Sequence, residues 1–213
     1  SSGNWSVAQW ITLTGKDDNA SDDNQTVLLT LTPSSGDSKY NSSSLAQTLT
    51  VTTLDDADTV GLVLSKSSAL VSENGSVSDN FSVVLRSEPT ANVTLTLSDN
   101  DSTEVSATPN TLSFGSGNWS VAQWITLTGK DDNVSDDNQT TLLTLTPSGG
   151  DYGSVSAQTL TVTTSDNDTV GLVLSKSSAL VSENGSVSDN FSVVLRSEPT
   201  ANVTLTLSDN DST

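Results

Sequence analysis

NFSVVLRSEPTANVTLTLSDND, residues 80–101, decides the fold. Phe81, Val83 and Leu85 alternate with Ser82, Val84 and Arg86, and Val93, Leu95 and Leu97 alternate with Thr94 and Thr96. A period of two lays one face of an extended chain on a core and leaves the other in water. Between the runs, SEPTAN supplies residues that favour a turn over strand continuation. The stretch therefore predicts two strands and a short connection, closing on a polar run that holds Asp99 and Asp101.

The same pattern extends outward. TLSF (111–114), QWITLTG (123–129), TLLTLTP (141–147) and QTLTVTT (158–164) each predict a strand, and GLVLS (61–65) with ALVS (69–72) predict a split first strand. No stretch carries a helical apolar period. About seven short strands in about 110 residues predict an all-β, immunoglobulin-like antiparallel β-sandwich. Its core is expected to hold Leu and Val with Phe81, Phe114 and one of two Trp. Trp124 is expected to pack inside, and Trp119, after a Gly-Asn turn, to anchor a loop or make an exposed contact.

The chain repeats itself. SGNWSVAQWITLTGKDDN occupies 2–19 and again 116–133, and the 45 residues 59–103 recur without change at 169–213. Repeats this long predict tandem domains rather than a solenoid of short units. Residues 59–168 read as one complete repeat, 1–58 as the C-terminal half of a repeat and 169–213 as the N-terminal half of another. A window on a longer array is the simplest expectation; half-units completed by neighbouring identical chains is the other.

Charge narrows the partners. With 26 acidic residues against 7 basic ones the net charge is −19, which argues against nucleic acid and anionic membranes. Without Cys or His, thiolate metal sites, disulfides and Ser–His chemistry are excluded, and no apolar run approaches a membrane span. The strands are nearly free of charge, and the acids gather in the connections: Glu73; Asp99 and Asp101; Asp131, Asp132, Asp136 and Asp137; Asp166 and Asp168. In a sandwich, loops after alternate strands share an end. If these do, their carboxylates repel one another unless a cation intervenes. Ca²⁺ suits that demand, since it takes about 6–8 oxygen ligands from carboxylates, amides and carbonyls; softer metals are disfavoured by the donor set. A solvated acidic surface is the alternative, but it predicts acids spread over strand faces as well. The expected ligands in the central repeat are Glu73, Asp99, Asp101, Asp131, Asp132, Asp137, Asp166 and Asp168. Their counterparts are Glu183, Asp209 and Asp211 on one side, and Asp17, Asp18, Asp56 and Asp58 on the other, beside Asp55.

LVSENGS, FSVVLRSEPTANVTLTLSDND, TLSFGSGNW, ITLTGKDDN and TVTTSDND, in that order, resemble a Calx-beta repeat of the kind found in large bacterial or archaeal surface proteins. The resemblance covers the whole repeat. It implies an immunoglobulin-like sandwich with Ca²⁺ held by an early Glu, a mid-domain Asp, an Asp-Asp pair and closing acids, which here are Glu73, Asp101, Asp131, Asp132, Asp166 and Asp168. Two features depart from the family: DDNQ (136–139) lacks the usual Glu after the pair, and the first copy closes on LDDAD (54–58) rather than SDND.

Every Asn except Asn110 is followed two positions on by Ser or Thr, which fits N-glycosylation of a surface protein or, equally, turn-to-strand junctions in a Ser/Thr-rich chain. Asn80, Asn92, Asn118 and Asn138 are the candidates clear of the acidic loops. The expectation is a non-enzymatic, extracellular structural repeat of a giant adhesin or filament, stiffened by Ca²⁺ at its junctions, with neighbouring repeats or identical chains as partners. The alternative is a carbohydrate- or surface-binding module using Trp119.

Overall fold

The structure, a computed structural model, describes residues 3–56 and 58–210. Asp211, expected as a ligand, lies outside the described residues. The central strands are β3 (Leu62–Leu64), β4 (Ser68–Ser72), β5 (Ser78–Leu85), β6 (Val93–Asp99), β7 (Val105–Thr108), β8 (Thr111–Phe114), β9 (Gln123–Gly129), β10 (Gln139–Ser148) and β11 (Gln158–Ser165). They form a four-stranded sheet in the order β3-β5-β9-β7 and a five-stranded sheet in the order β4-β11-β10-β6-β8. This is an all-β, immunoglobulin-like sandwich. The alternation read from the sequence sets which side faces in: Phe81, Val83 and Leu85 from one sheet meet Val93, Leu95, Leu145, Leu160 and Val162 from the other.

The expected split of the first strand becomes a change of sheet. β3 pairs with β5, and β4 with β11. Lys66, at the crossing, donates to Asp79 Oδ1 at 2.6 Å, and Asp79 Oδ2 accepts the Leu70 N–H at 3.3 Å. The switch makes β4–β11 parallel, so the fully antiparallel expectation is corrected at that pair: a chain that crosses to the opposite sheet without reversing runs alongside its new neighbour.

Two further findings depart from the sequence reading, at Trp124 and at β7. Trp124 is 58% exposed, because Ile125 and Leu127 take the inward register of β9 and leave the indole on the outer face. Trp119, in line with the loop-anchor alternative, is half-buried and packed against the core, with its carbonyl accepting the Leu85 N–H at 2.9 Å. Strand β7 is not among the predicted strands, since TEVSATP offers only Val105 and Ala107 as apolar residues.

The sequence repeat is matched by repeated pairing. β1 (Gln25–Leu31) and β2 (Gln47–Thr53) form a hairpin like β10–β11, and β12 (Leu172–Leu174) pairs with β13 (Val193–Leu195) as β3 does with β5. The flanking apolar residues are not enclosed: Phe81 is fully buried, whereas its counterpart Phe191 is 45% exposed.

Candidate metal centre

The acidic connections converge because successive strands reverse. The end of β4, the β6–β7 and β9–β10 connections and the end of β11 all lie at one end of the sandwich. Gly129 permits the tightest approach: a Cβ there would fall 2.3 Å from the Ser72 carbonyl oxygen. With β9 drawn against the end of β4, Asp131 reaches Glu73. The Glu73 N–H donates to the Ser165 carbonyl at 3.2 Å, continuing the β4–β11 ladder and fixing the glutamate beside residues 166–168. On the other side, the Glu104 carbonyl accepts the Lys130 N–H at 2.9 Å and the Thr164 hydroxyl at 3.3 Å, which ties the start of β7 to both sheets.

Two groups of carboxylates result. Glu73, Asp131 and Asp168 offer oxygens within 4.8 Å of one another, and so do Glu104, Asp132 and Asp136. Adjacent residues Asp131 and Asp132 thus serve neighbouring groups. Ligands on opposite sides of a Ca²⁺ ion, each at about 2.3–2.6 Å, stand about 5 Å apart, so this spacing fits one ion per group. Among the other expected ligands of the central repeat, Asp166 accepts the N–H of Asp168 at 2.7 Å on one oxygen and that of Asp137 at 3.1 Å on the other. Asp101 folds its own turn, accepting from the N–H and hydroxyl of Thr103 at 3.1 and 2.5 Å. Asp99 and Asp137 are exposed and belong to neither group.

The chemistry of the two glutamates tests the fit. Glu73 is 3% exposed and Glu104 7%. Glu73 Oε2, Glu104 Oε2 and Asp168 Oδ2 are buried without a hydrogen-bond partner. A buried carboxylate oxygen without a donor is costly. Burial raises the pKa of Glu73 above 4.5, and Asp166, Asp132 and Glu104 add to the effect, against a lowering contribution from the Asn167 N–H. Burial also raises Glu104, helped by Asp101, Asp136 and Asp132. Asp168 is raised by desolvation, then by Asp166, Asp131 and Asp132. Among the described residues no base relieves them: Lys66 is paired with Asp79, and Lys130 donates its Nζ to the Ser102 carbonyl. One hard cation in each group would meet these orphaned acceptors, Glu73 and Asp168 in the first and Glu104 in the second.

The flanking segments differ. Asp17, Asp56 and Asp58 form a third group, in which Asp17 corresponds to Asp131 and Asp58 occupies the place of Asp168 just before TVGLVL. Asp18 instead folds its turn by accepting the Ala20 N–H at 3.1 Å, and it lines an acidic cleft with Asp22, Asp23 and Asp55. Glu183 and Asp209 are exposed and stand in no such group among the described residues. Glu104 is the residue that sequence reasoning passed over, a lone acid three residues past the SDND run. Asp136 was read as part of the acidic loop but not as a ligand.

Of the sequon residues, Asn80, Asn92, Asn118 and Asn138 are all exposed. Asn118 uses its side chain to hold its turn, donating to the Ser113 carbonyl at 3.2 Å and accepting the Gly115 N–H at 2.7 Å.

No family model matches the chain, and no curated protein matches it. Among solved structures, the apo form of the Calx CBD1 domain is similar over 50% of this chain and 98% of its own, with 19% identity and a TM-score of 0.37. The calcium binding domain CBD12 of CALX1.1 is 21% identical over 55% of this chain, with a TM-score of 0.40, and the E. coli chaperone DraB is 6% identical over 49%, with a TM-score of 0.38. The chain spans 50% of the CBD12 structure and 54% of the chaperone.

Proposed function

We propose that this chain is a Ca²⁺-binding structural module: a run of sandwich repeats in an extracellular adhesin or filament, made rigid by cations held at the end of each sandwich. The observation that carries this reading is the burial of Glu73 and Glu104 among other carboxylates, with oxygens that no protein donor meets. A solvated acidic surface has no reason to bury them. Glu73, Asp131 and Asp168 would hold one ion and Glu104, Asp132 and Asp136 another, with Asp166 and Asp101 alongside. The ion supplies positive charge and flexible oxygen coordination, and the chain supplies position. Residues 166–168 lie directly between β11 and the following TVGLVL, so an ion there would pin the connection to the sandwich behind it. The repeat boundaries at 58/59 and 168/169 belong to this proposal, as does the surface location.

Calorimetry of the full chain tests the reading: Ca²⁺ should bind with release of protons, because the raised carboxyls must ionise. No heat at millimolar Ca²⁺, or equal binding by a variant carrying Glu73→Gln and Glu104→Gln, would overturn it. A second reading, glycan or surface binding, now rests on Trp124 rather than Trp119, since Trp124 presents its indole on the outer face of the four-stranded sheet.

A further inference from the structure

One contact occurs twice in the molecule and joins an acidic loop to the LRSEPTANV segment that follows it in the chain. The Asn19 carbonyl accepts the Glu88 N–H at 2.9 Å, and the Asn133 carbonyl accepts the Glu198 N–H at 2.6 Å. Each is accompanied by a parallel bridge, Ala20 with Glu88 and Val134 with Glu198. Asn19 and Asn133 both close the repeated SGNWSVAQWITLTGKDDN, and Glu88 and Glu198 hold the same place in the repeated LRSEPTANV. Two copies of the finger thus meet two copies of the edge in the same register.

Both partners are shaped for this from within. On the finger, the Asp132 carboxylate accepts the Val134 N–H at 2.7 Å, as Asp18 does for Ala20 at 3.1 Å, which folds the loop and turns the Asn carbonyl outward. On the edge, Ser87 is buried and gripped by Tyr152, whose hydroxyl accepts the Ser87 N–H at 3.1 Å and donates to its carbonyl at 2.9 Å. With Ser87 held inward and Pro89 buried without an N–H to offer, Glu88 is the residue whose donor is left for a neighbour; at 197–199, where Ser197 is half-buried and Pro199 exposed, the Glu198 N–H makes the same bond.

We propose that residues 131–135 are a docking finger and residues 197–199 its receptor edge on the next sandwich, repeated at 17–21 and 87–89. The partner is a further copy of the repeat, recognised through its backbone in the manner of strand addition. The finger carries Asp131 and Asp132, so its inward side belongs to the carboxylate groups while its outward side holds the neighbour. In this respect the inference rests on the proposed cation reading, since an ion that orders the finger also orders the next sandwich.

Cys-free sequence makes the test direct. Thr126→Cys on β9 and Ser177→Cys in the following segment take spin labels in the full chain, and pulsed dipolar spectroscopy reads the distance distribution between them. The wild-type chain should give a narrow distribution. Glu198→Pro removes the donor and should broaden it, while Glu198→Gln keeps the N–H and should leave it narrow. Val134→Pro disrupts the bridge from the finger's side, removing also the N–H that Asp132 accepts, and should broaden it as well; the melting transition of the central sandwich should be unchanged in the two Glu198 variants. A narrow distribution in both proline variants overturns the docking edge, as does broadening in Glu198→Gln. Ca²⁺ calorimetry on the same samples separates the two ideas. Absence of binding sinks the cation reading alone, and proline variants that bind Ca²⁺ normally yet stay narrow sink the docking edge alone.

Discussion

Glu73 and Glu104 are where charge and burial conflict most directly. Each folded carboxyl holds its proton to higher pH than the unfolded chain does, so the folded state binds more protons over the window from 4.5 up to the raised values. Stability without a cation therefore falls as pH rises through that window and is regained on acidification. With Ca²⁺ bound the sign reverses, because protons compete for the same oxygens. Thermal melts between about pH 4 and 7, with chelator and with Ca²⁺, should cross; parallel curves would show that the glutamates do not meet an ion. Glu73→Gln should raise the melting temperature in chelator and lower it in Ca²⁺. Tyr152→Phe removes the clamp on Ser87 and should cost about 1–3 kcal/mol in urea unfolding, the penalty for stranding buried partners. Acidic clustering was legible in the sequence, since the carboxylates sit in connections. The burial of Glu104 and the grip of Tyr152 on Ser87 were not, because both depend on contacts made 60 or more residues away.

Strands carry the clearest sequence signal, and register decides what each side chain does. In β9, Trp124 and Ile125 are neighbours with opposite fates. Ile125→Ala should destabilise the chain by about 2–5 kcal/mol, as a cavity in a packed core does. Trp124→Ser should change stability by only about 0.5 kcal/mol in the same unfolding assay, as at exposed positions. Trp124 was expected to pack inside; its alternation with Ile125 and Leu127 overrules that. Gly129, the last residue of β9, joins strand to site. Gly129→Ala would force β9 away from Ser72 and should weaken Ca²⁺ binding in calorimetry more than it lowers the melting temperature. β7 escaped notice because a four-residue edge strand buries little, so its sequence carries almost no periodic mark.

At the scale of the whole molecule, identical sequence finds different surroundings. Phe81 lies in a closed core and Phe191 does not, although residues 59–103 and 169–213 are the same. Enclosure is a property of the assembled sandwich, supplied by β9, β10 and β11. Ca²⁺ at 100 times its dissociation constant should stabilise the folded chain by about 2.7 kcal/mol per independent site, read as a rise in melting temperature that chelator abolishes. Small-angle scattering should show a larger maximum dimension and a narrower pair-distance profile with Ca²⁺ than with chelator; superimposable profiles would sink the stiff-junction idea.

Period-two alternation, turn-rich breaks and the repeat itself determined the all-β class, most strand positions and the gathering of acids into loops, because these are local properties of extended chain and of residue type. Only the tertiary structure decided that the first strand changes sheet, that β4 lies parallel to β11, and that Asp131 and Asp132 face separate groups. It also decided that Glu73 and Glu104 are the acids deprived of water. Each of these depends on which distant backbone segments touch, and the free energy of a carboxylate is set by the neighbours that replace its solvent, which no local pattern records.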